Sequence, residues 1–161
     1  MLTKPYISLE GYHKLKLEIA SLRDKAAELV QRIKENRENE TGDESDNVEM
    51  ISLMSERESI SDKFADLERF LASCNIIDLS KLPDETKVVR FGTTVTLLDL
   101  DTDKKFTYKI LGERESSLKE NIISYTSPLG KALMNEAVGN VVSFDAPKGE
   151  RELEILSVTR H

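Results

Sequence analysis

The chain has 161 residues, of which 39% are hydrophobic and 33% are charged, and its formal net charge is −7. It contains no run of 18 apolar residues that could form a membrane-spanning helix, and its first residues include no apolar signal-peptide core. Cys74 is the only cysteine, which excludes an intramolecular disulfide bond. These features predict a cytoplasmic protein of one or two small domains with no membrane segment.

The first half of the chain predicts two long helices that fold back on each other. Apolar residues recur at alternating spacings of three and four on both sides of a polar turn at Gly42-Asp43. When the two stripes face each other, the numbers of the paired residues sum to 82 or 83 throughout, so one register fits every pair. The sequence therefore predicts an antiparallel coiled-coil hairpin over residues 1–77. The first stripe is Tyr12, Leu15, Ile19, Leu22, Ala26, Leu29 and Ile33, and the second is Met50, Leu53, Arg57, Ile60, Phe64, Leu67 and Leu71.

The segment that joins the two helices is acidic, with the predicted tip near residues 38–49. Residues 35–49 hold seven carboxylates and one arginine, and the first 80 residues contain 17 acidic and 11 basic side chains. An acidic rod is a poor ligand for bare DNA, because each neutralised phosphate requires a cation. The charge suits a basic cavity or a metal ion, so contact with nucleic acid should depend on a protein partner. Alternatively, these acids only solvate the turn and cap the second helix.

The second half of the chain predicts a small antiparallel α+β domain over residues 87–161, after a linker at residues 78–86. Short β-branched runs alternate with turn signals. Between the fourth and fifth runs, Ser127 as N-cap and Pro128 at the first helical position predict a short helix. The fold class is therefore α+β, a helical hairpin followed by a β domain. The six runs are Lys87–Phe91, Thr93–Leu98, Phe106–Leu111, Ile122–Tyr125, Val141–Phe144 and Glu152–Val158.

Several motifs, in this order and spacing, resemble the bacterial GreA/GreB family of transcript cleavage factors. Residues 9–18 are similar to the opening helix of the family, and residues 42–49, GDESDNVE, are similar to its hairpin-tip motif Gly-Asp-x-x-Glu-Asn-x-Glu. The pairs at residues 91–92, 123–124 and 127–128 match the C-terminal domain of the family. The resemblance implies that this domain has an FKBP-like fold without isomerase activity.

The resemblance implies a protein that binds RNA polymerase and inserts its hairpin through the secondary channel. There it would stimulate the polymerase's own endonucleolytic cleavage of backtracked RNA, so the chain itself is not expected to be an enzyme. Asp43 and Asp46 would help hold a Mg²⁺ ion shared with the polymerase active site, with Glu44 and Glu49 in support. Mg²⁺ often takes only one or two carboxylates from one protein segment. No cofactor is expected on the isolated protein, which the resemblance implies is a monomer.

Two further sets of residues receive roles from the resemblance. Arg57 interrupts the second apolar stripe. In one interpretation it lies over Ala26 with its charge in solvent, near Asp24 or Glu28. In the other it belongs to the family's basic patch. That patch would contact the 3′ end of the nascent RNA through Arg32, Arg37 and Arg57. The C-terminal domain would dock on the polymerase through Ile122, Ser124, Ser127, Pro128 and Leu129.

The tip departs from the family pattern in ways that leave alternative functions open. The second acid is Asp46 where the family usually has Glu, Met50 stands where it commonly has Tyr, and the tip is slightly longer. One alternative is therefore a secondary-channel regulator or inhibitor without cleavage activity. Another is a coiled-coil adaptor with an acidic tip that serves only solubility. An FKBP-type isomerase is disfavoured, because the chain has no Trp and only nine aromatic residues.

Overall fold

The computed structural model describes residues 3–39 and 47–160, which form two compact units. The hairpin unit comprises residues 12–74, and the sheet unit comprises the residues up to Gly11 together with those from Asn75 onward. The hairpin unit lies within residues 1–77, the segment predicted to form the hairpin. Strand β1 (Tyr6–Ser8) pairs in parallel with β2 (Asn75–Ile77), and the pairing joins both ends of the hairpin sequence to the sheet unit.

The hairpin unit is built from two long helices, α1 (Leu9–Asn39) and α2 (Val48–Ser73). The first turn of α1 belongs to the sheet unit, and the rest of the helix lies in the hairpin unit. Cys74 is the C-cap of α2, and its backbone N–H donates to the Phe70 carbonyl at 3.0 Å. Cys74 is half-buried rather than fully buried, and burial raises the pKa of its thiol.

The described part of each unit contains no helix long and apolar enough to cross a membrane.

The predicted stripes form the seam between the helices, but alternate layers differ in burial. The layers whose numbers sum to 82 are buried, and Leu29 and Leu53 are each only 2% exposed. Three layers that sum to 83, from Tyr12 and Leu71 to Ala26 and Arg57, have side chains that remain partly or fully exposed, whereas the fourth such layer, Ile33 with Met50, is buried. Two helices cover only one side of each other, so these three layers border solvent. The buried seam residues are Leu15, Leu22, Leu29, Ile33, Met50, Leu53, Ile60 and Leu67.

Phe64 is the seam residue whose predicted position was wrong. We expected it deep in the seam, but its ring is only partly buried. The Arg23 guanidinium lies over the ring, 5.8 Å from the ring centroid. Leu67, one turn further along α2, is buried as expected, with 5% of its surface exposed. Phe64 therefore lies at the flank of the seam, where an arginine on the facing helix covers it.

The sheet unit contains a five-stranded sheet of order β5-β4-β3-β7-β6. Neighbouring strands are antiparallel, as in the predicted antiparallel domain, except β4 and β5, which are parallel. Helix α3 (Pro128–Leu133) follows β5 and precedes β6. Two 3-10 turns, Leu79–Lys81 and Glu113–Glu115, lie in the connections. The strands are β3 (Thr94–Asp99), β4 (Lys105–Leu111), β5 (Ile122–Ser124), β6 (Val141–Ala146) and β7 (Gly149–Thr159).

The core of the sheet unit follows from strict alternation along the strands. In β3 every second residue is buried, so Val95 and Leu97 point to the same face. Leu133 of α3 is completely buried and joins the same cluster, which shows that α3 covers this face of the sheet. The buried cluster consists of Val89, Val95, Leu97, Ile110, Leu133, Val142, Leu153, Ile155 and Val158.

Most of the predicted elements of the second half are confirmed. Ser127 is the N-cap of α3, and its hydroxyl oxygen accepts a hydrogen bond from the Gly130 N–H at 3.0 Å, with Pro128 at the first helical position. The expected strand at Lys87–Phe91 was wrong, because this segment forms only an isolated bridge between Val88 and Ala137. The predicted linker contains the 3-10 turn Leu79–Lys81, where the hydrogen bond from Ser80 lowers the pKa of the Asp78 carboxyl group.

Candidate functional site at the end of the hairpin

Most of the predicted metal-directed carboxylates lie outside the described residues. Asp43, Glu44 and Asp46 belong to residues 40–46, and only Glu49 is described. Glu49 is exposed and lies in the first turn of α2, where its negative charge complements the helix dipole. Among residues 3–39 and 47–160, no group of three or more His, Cys, Asp or Glu side chains is arranged to hold a metal ion.

A network of hydrogen bonds joins the two helices on either side of residues 40–46. The Asn36 side-chain NH₂ donates to Glu49 Oε2 at 3.2 Å, and Asn36 Oδ1 accepts from Asn47 Nδ2 at 2.6 Å. Asn47 is the N-cap of α2, and its Oδ1 accepts from the Met50 backbone N–H at 3.0 Å. An N-cap side chain satisfies one of the backbone donors that a helix leaves free in its first turn. The start of α2 is therefore bonded to the last turns of α1.

Sequence reasoning missed Asn36, although its position carried a signal. It follows Ile33 by three residues and so continues the apolar stripe with a polar side chain. Its number and that of Asn47 also sum to 83, the register of the other seam pairs. Asn36 is only 8% exposed. A buried polar residue at the next seam position, opposite the Asn of the tip motif, was the indication of a cross-helix bond.

Of the three arginines expected to contact RNA, the structure brings two together. Arg37 and Arg57 line one groove between the helices, together with the basic Lys34 and the acidic Glu38. Arg32 is exposed but does not line this groove. Arg57 also lines a neighbouring groove together with Ala26. The two interpretations of Arg57 both stay predictions.

The residues expected to dock on a partner lie at one edge of the five-stranded sheet. Ile122 and Ser124 are on β5, which is an edge strand, and Pro128 is exposed at the start of α3. Ser124 is buried, and its carbonyl accepts a hydrogen bond from the Ser127 hydroxyl at 2.6 Å. Both serines therefore hold the β5–α3 connection in place. Ile122, Pro128 and the partly buried Leu129 supply the apolar surface.

An aromatic cluster next to β5 was not predicted from the sequence. Tyr125 packs edge-on against Tyr6 and Phe91, with ring centroids 5.7 and 5.9 Å away. The Tyr125 hydroxyl oxygen also accepts a hydrogen bond from the Tyr6 backbone N–H at 3.1 Å. Tyr6 remains 40% exposed. Because the three residues are far apart in the chain, only the fold could show that they meet.

Both halves of the chain match one class of protein, the transcription elongation factors. Residues 5–76 match the family model described as "Transcription elongation factor, N-terminal", and residues 84–160 match "Transcription elongation factor, GreA/GreB, C-term". The chain is 37% identical over 157 residues to the transcription elongation factor GreA of Orientia tsutsugamushi, covering 94% of each chain. It is 39% identical over 152 residues to GreA of Maridesulfovibrio salexigens, covering 94% of this chain and 92% of the relative.

The chain therefore belongs to the GreA/GreB family of transcription elongation factors. Among solved structures, it is similar to Thermus aquaticus Gfh1, with 27% identity and a TM-score of 0.44 over 98% of this chain and 99% of the other.

Proposed function

We propose that this protein binds RNA polymerase, inserts its hairpin through the secondary channel and stimulates cleavage of backtracked RNA by the polymerase active site. The proposal also takes the protein to be a cytoplasmic monomer that contacts the 3′ end of the nascent RNA. The family assignment supports action on transcription elongation. The chemistry of the hairpin end supports the finer statement.

The main support for the proposal is an acidic segment that connects two helix ends, which hydrogen bonds join to each other. Residues 40–46 contain Glu40, Asp43, Glu44 and Asp46. They connect Asn39, the last residue of α1, with Asn47, the N-cap of α2. On both sides the chain is held by the Asn36–Asn47–Glu49 hydrogen bonds. A stiff two-helix rod that ends in carboxylates can carry negative charge into a narrow basic cavity.

The donor set of this segment suits Mg²⁺, which prefers hard carboxylate oxygens and usually keeps several of its waters. Asp43 and Asp46 would hold the ion, together with ligands from the polymerase. Such an ion stabilises the attacking and leaving oxygens in phosphodiester hydrolysis. Glu49 has a different task in our proposal. Its carboxylate accepts the Asn36 bond, so Glu49 supports the tip from the first turn of α2.

The remaining parts of the molecule supply binding. The groove on the hairpin offers three exposed cations, Lys34, Arg37 and Arg57, to RNA phosphates, with one carboxylate, Glu38, beside them. The edge of the sheet at β5, with Ile122, Pro128 and Leu129, offers an apolar surface to a helical element of the polymerase. The metal-directed residues and the docking residues belong to different structural units, so substitutions can separate their roles.

A second candidate function is inhibition of the polymerase from within the secondary channel. Asp46 favours it, because this residue is one methylene shorter than the Glu of the family motif. Direct Mg²⁺ ligation demands near-ideal octahedral geometry, so a shorter side chain can lose a ligand position. Such a protein would bind the polymerase and occupy the channel without stimulating cleavage.

The test uses a 3′-backtracked elongation complex with labelled RNA, with and without the factor, across a Mg²⁺ titration. The proposal predicts release of short 3′ fragments at a rate that depends on both factor and Mg²⁺. Binding without fragment release at any Mg²⁺ concentration would support the inhibitor. Absence of polymerase binding would instead support a coiled-coil adaptor.

A further inference from the structure

We propose that Asn36 is a positioning residue for the acidic segment: its side-chain amide fixes Asn47, the residue to which Asp46 is attached in the chain, against the last turns of α1. The inference rests on the proposed cleavage function and assigns a role to a residue outside the tip motif. Asn36 itself touches no reacting atom.

The burial of Asn36 is the first argument. It is 8% exposed and occupies a seam position that continues from Leu29 and Ile33. An apolar side chain there would add to the hydrophobic seam, whereas a buried amide costs free energy unless its polar atoms are bonded. A single polar residue in a coiled-coil seam is a known means of fixing register at some cost in stability. A polar residue at this position therefore fixes how the two helices pair, at some cost in the free energy of unfolding.

The second argument is the orientation of the Asn36 and Asn47 amides. Each is determined by a neighbouring group that can only donate or only accept a hydrogen bond. The Met50 backbone N–H can only donate, so the Asn47 oxygen must face it and the Asn47 NH₂ must face Asn36. The ionised Glu49 carboxylate can only accept, so the Asn36 NH₂ must face Glu49. The Asn36 amide therefore fits this network in one orientation, with its oxygen towards Asn47 and its NH₂ towards Glu49.

Asn47 is also adjacent in the sequence to the proposed metal ligands. Asp46 directly precedes Asn47, and Asp43 precedes it by four residues. The backbone position of Asn47 therefore sets where Asp46 is attached. Without Asn36, Asn47 loses its bond to α1, and its cap bond to the Met50 N–H should open more often. Misplacement of a reacting group by about 1 Å can cost roughly a hundredfold in rate, which makes this link relevant to catalysis.

The test compares Asn36→Leu with Leu22→Ala in the full-length protein. Leucine extends the apolar seam, so Asn36→Leu should melt at or above the wild-type temperature. Its half-saturating concentration for the polymerase should stay within about twofold, while the maximal cleavage rate should fall at least about tenfold. Leu22→Ala, a buried seam residue nearer the base, should melt lower yet keep the maximal cleavage rate. Asn36→Ala should reproduce the loss of rate seen with leucine.

A second readout does not depend on cleavage. Amide hydrogen exchange at Met50 in the free protein should be several-fold faster in Asn36→Leu than in the wild type, because the capping side chain loses its support. A wild-type maximal rate in a folded Asn36→Leu protein would overturn the positioning role, and so would unchanged Met50 exchange. If the wild-type protein stimulates no cleavage, the proposed function fails, and Met50 exchange alone decides whether Asn36 holds the α2 cap.

Discussion

Ser8 and Glu115, 107 residues apart in the chain, are joined by two hydrogen bonds: the Ser8 N–H donates to Glu115 Oε2 at 3.1 Å, and the Ser8 hydroxyl donates to Oε1. The Ser8 oxygen in turn accepts from the Gly11 N–H at 3.0 Å, which caps the first turn of α1. Glu115 Oε2 also accepts from the Gly112 N–H at 3.0 Å. One carboxylate thus links the start of α1 to the turn that follows β4.

This link predicts the effect of Glu115→Ala. The substitution leaves the Ser8 and Gly112 donors without their partner, and Ser8 is only 3% exposed. Leaving buried donors unsatisfied costs about 1–3 kcal/mol. We expect a loss of unfolding free energy of this size in urea denaturation, with Glu113→Ala, an exposed neighbour in the same turn, close to wild type. Equal effects of the two substitutions would contradict the assigned role of Glu115.

Seam residues differ in burial, and burial rather than residue size should determine how much a substitution lowers the free energy of unfolding. Leu53→Ala removes a side chain that is 2% exposed and should cost about 2–5 kcal/mol. Phe64 is larger, but it is partly exposed at the flank of the seam, so Phe64→Ala should cost less than Leu53→Ala. Urea denaturation of both variants measures the order. A greater loss for Phe64→Ala would show that its ring is more deeply packed than the structure indicates.

The docking surface can be tested in the full-length protein at Pro128. Pro128→Glu places a charge on the apolar edge beside β5, and an acid at the start of a helix is compatible with folding. We expect the dissociation constant for RNA polymerase to rise at least about tenfold, since a buried unpaired charge at an interface is costly. Val141→Glu, on the strand at the opposite edge of the sheet, is the matched control and should bind normally. Equal loss for both variants would argue against docking at β5.

The parts of the fold that the sequence predicted are those with local or periodic signals. The seam register follows from spacings of three and four, and the start of α3 follows from Ser127 and Pro128. Strands β1 and β2 are three residues long, too short for an alternation pattern, and their pairing depends on residues about 70 positions apart. The parallel pairing of β5 likewise depends on tertiary contacts with β4.

The candidate site was predictable to a similar extent. The motif at residues 42–49 indicated the acids and placed Asn47 within it. It did not indicate that Asn47 would be the N-cap or that Glu49 would accept a bond from Asn36. Asn36 precedes the motif, and its role depends on a contact across the seam. Side-chain bonds of this kind require the fold, because sequence periodicity gives the register but not the hydrogen-bond partners.

The departure of Asp46 from the family motif predicts that replacing it with the usual Glu does not lower the cleavage rate. Asp46→Glu extends the carboxylate by one methylene and restores the usual residue of the motif. We expect the maximal cleavage rate to stay the same or rise, and the Mg²⁺ concentration for half-maximal rate to stay the same or fall. Asp46→Asn should lower the maximal rate. If Asp46→Glu lowers the rate as strongly as Asp46→Asn, the shorter side chain is matched to this tip.

The most direct measurement of the central claim is RNA cleavage in backtracked complexes with Asp43→Asn, compared with Asp62→Asn. Both substitutions remove one carboxylate charge, but Asp62 lies on the exposed surface of α2, away from the tip. We predict that Asp43→Asn binds the polymerase like the wild type, melts at nearly the same temperature and stimulates no cleavage, while Asp62→Asn is fully active. Full stimulation by Asp43→Asn, with binding intact, would contradict the account.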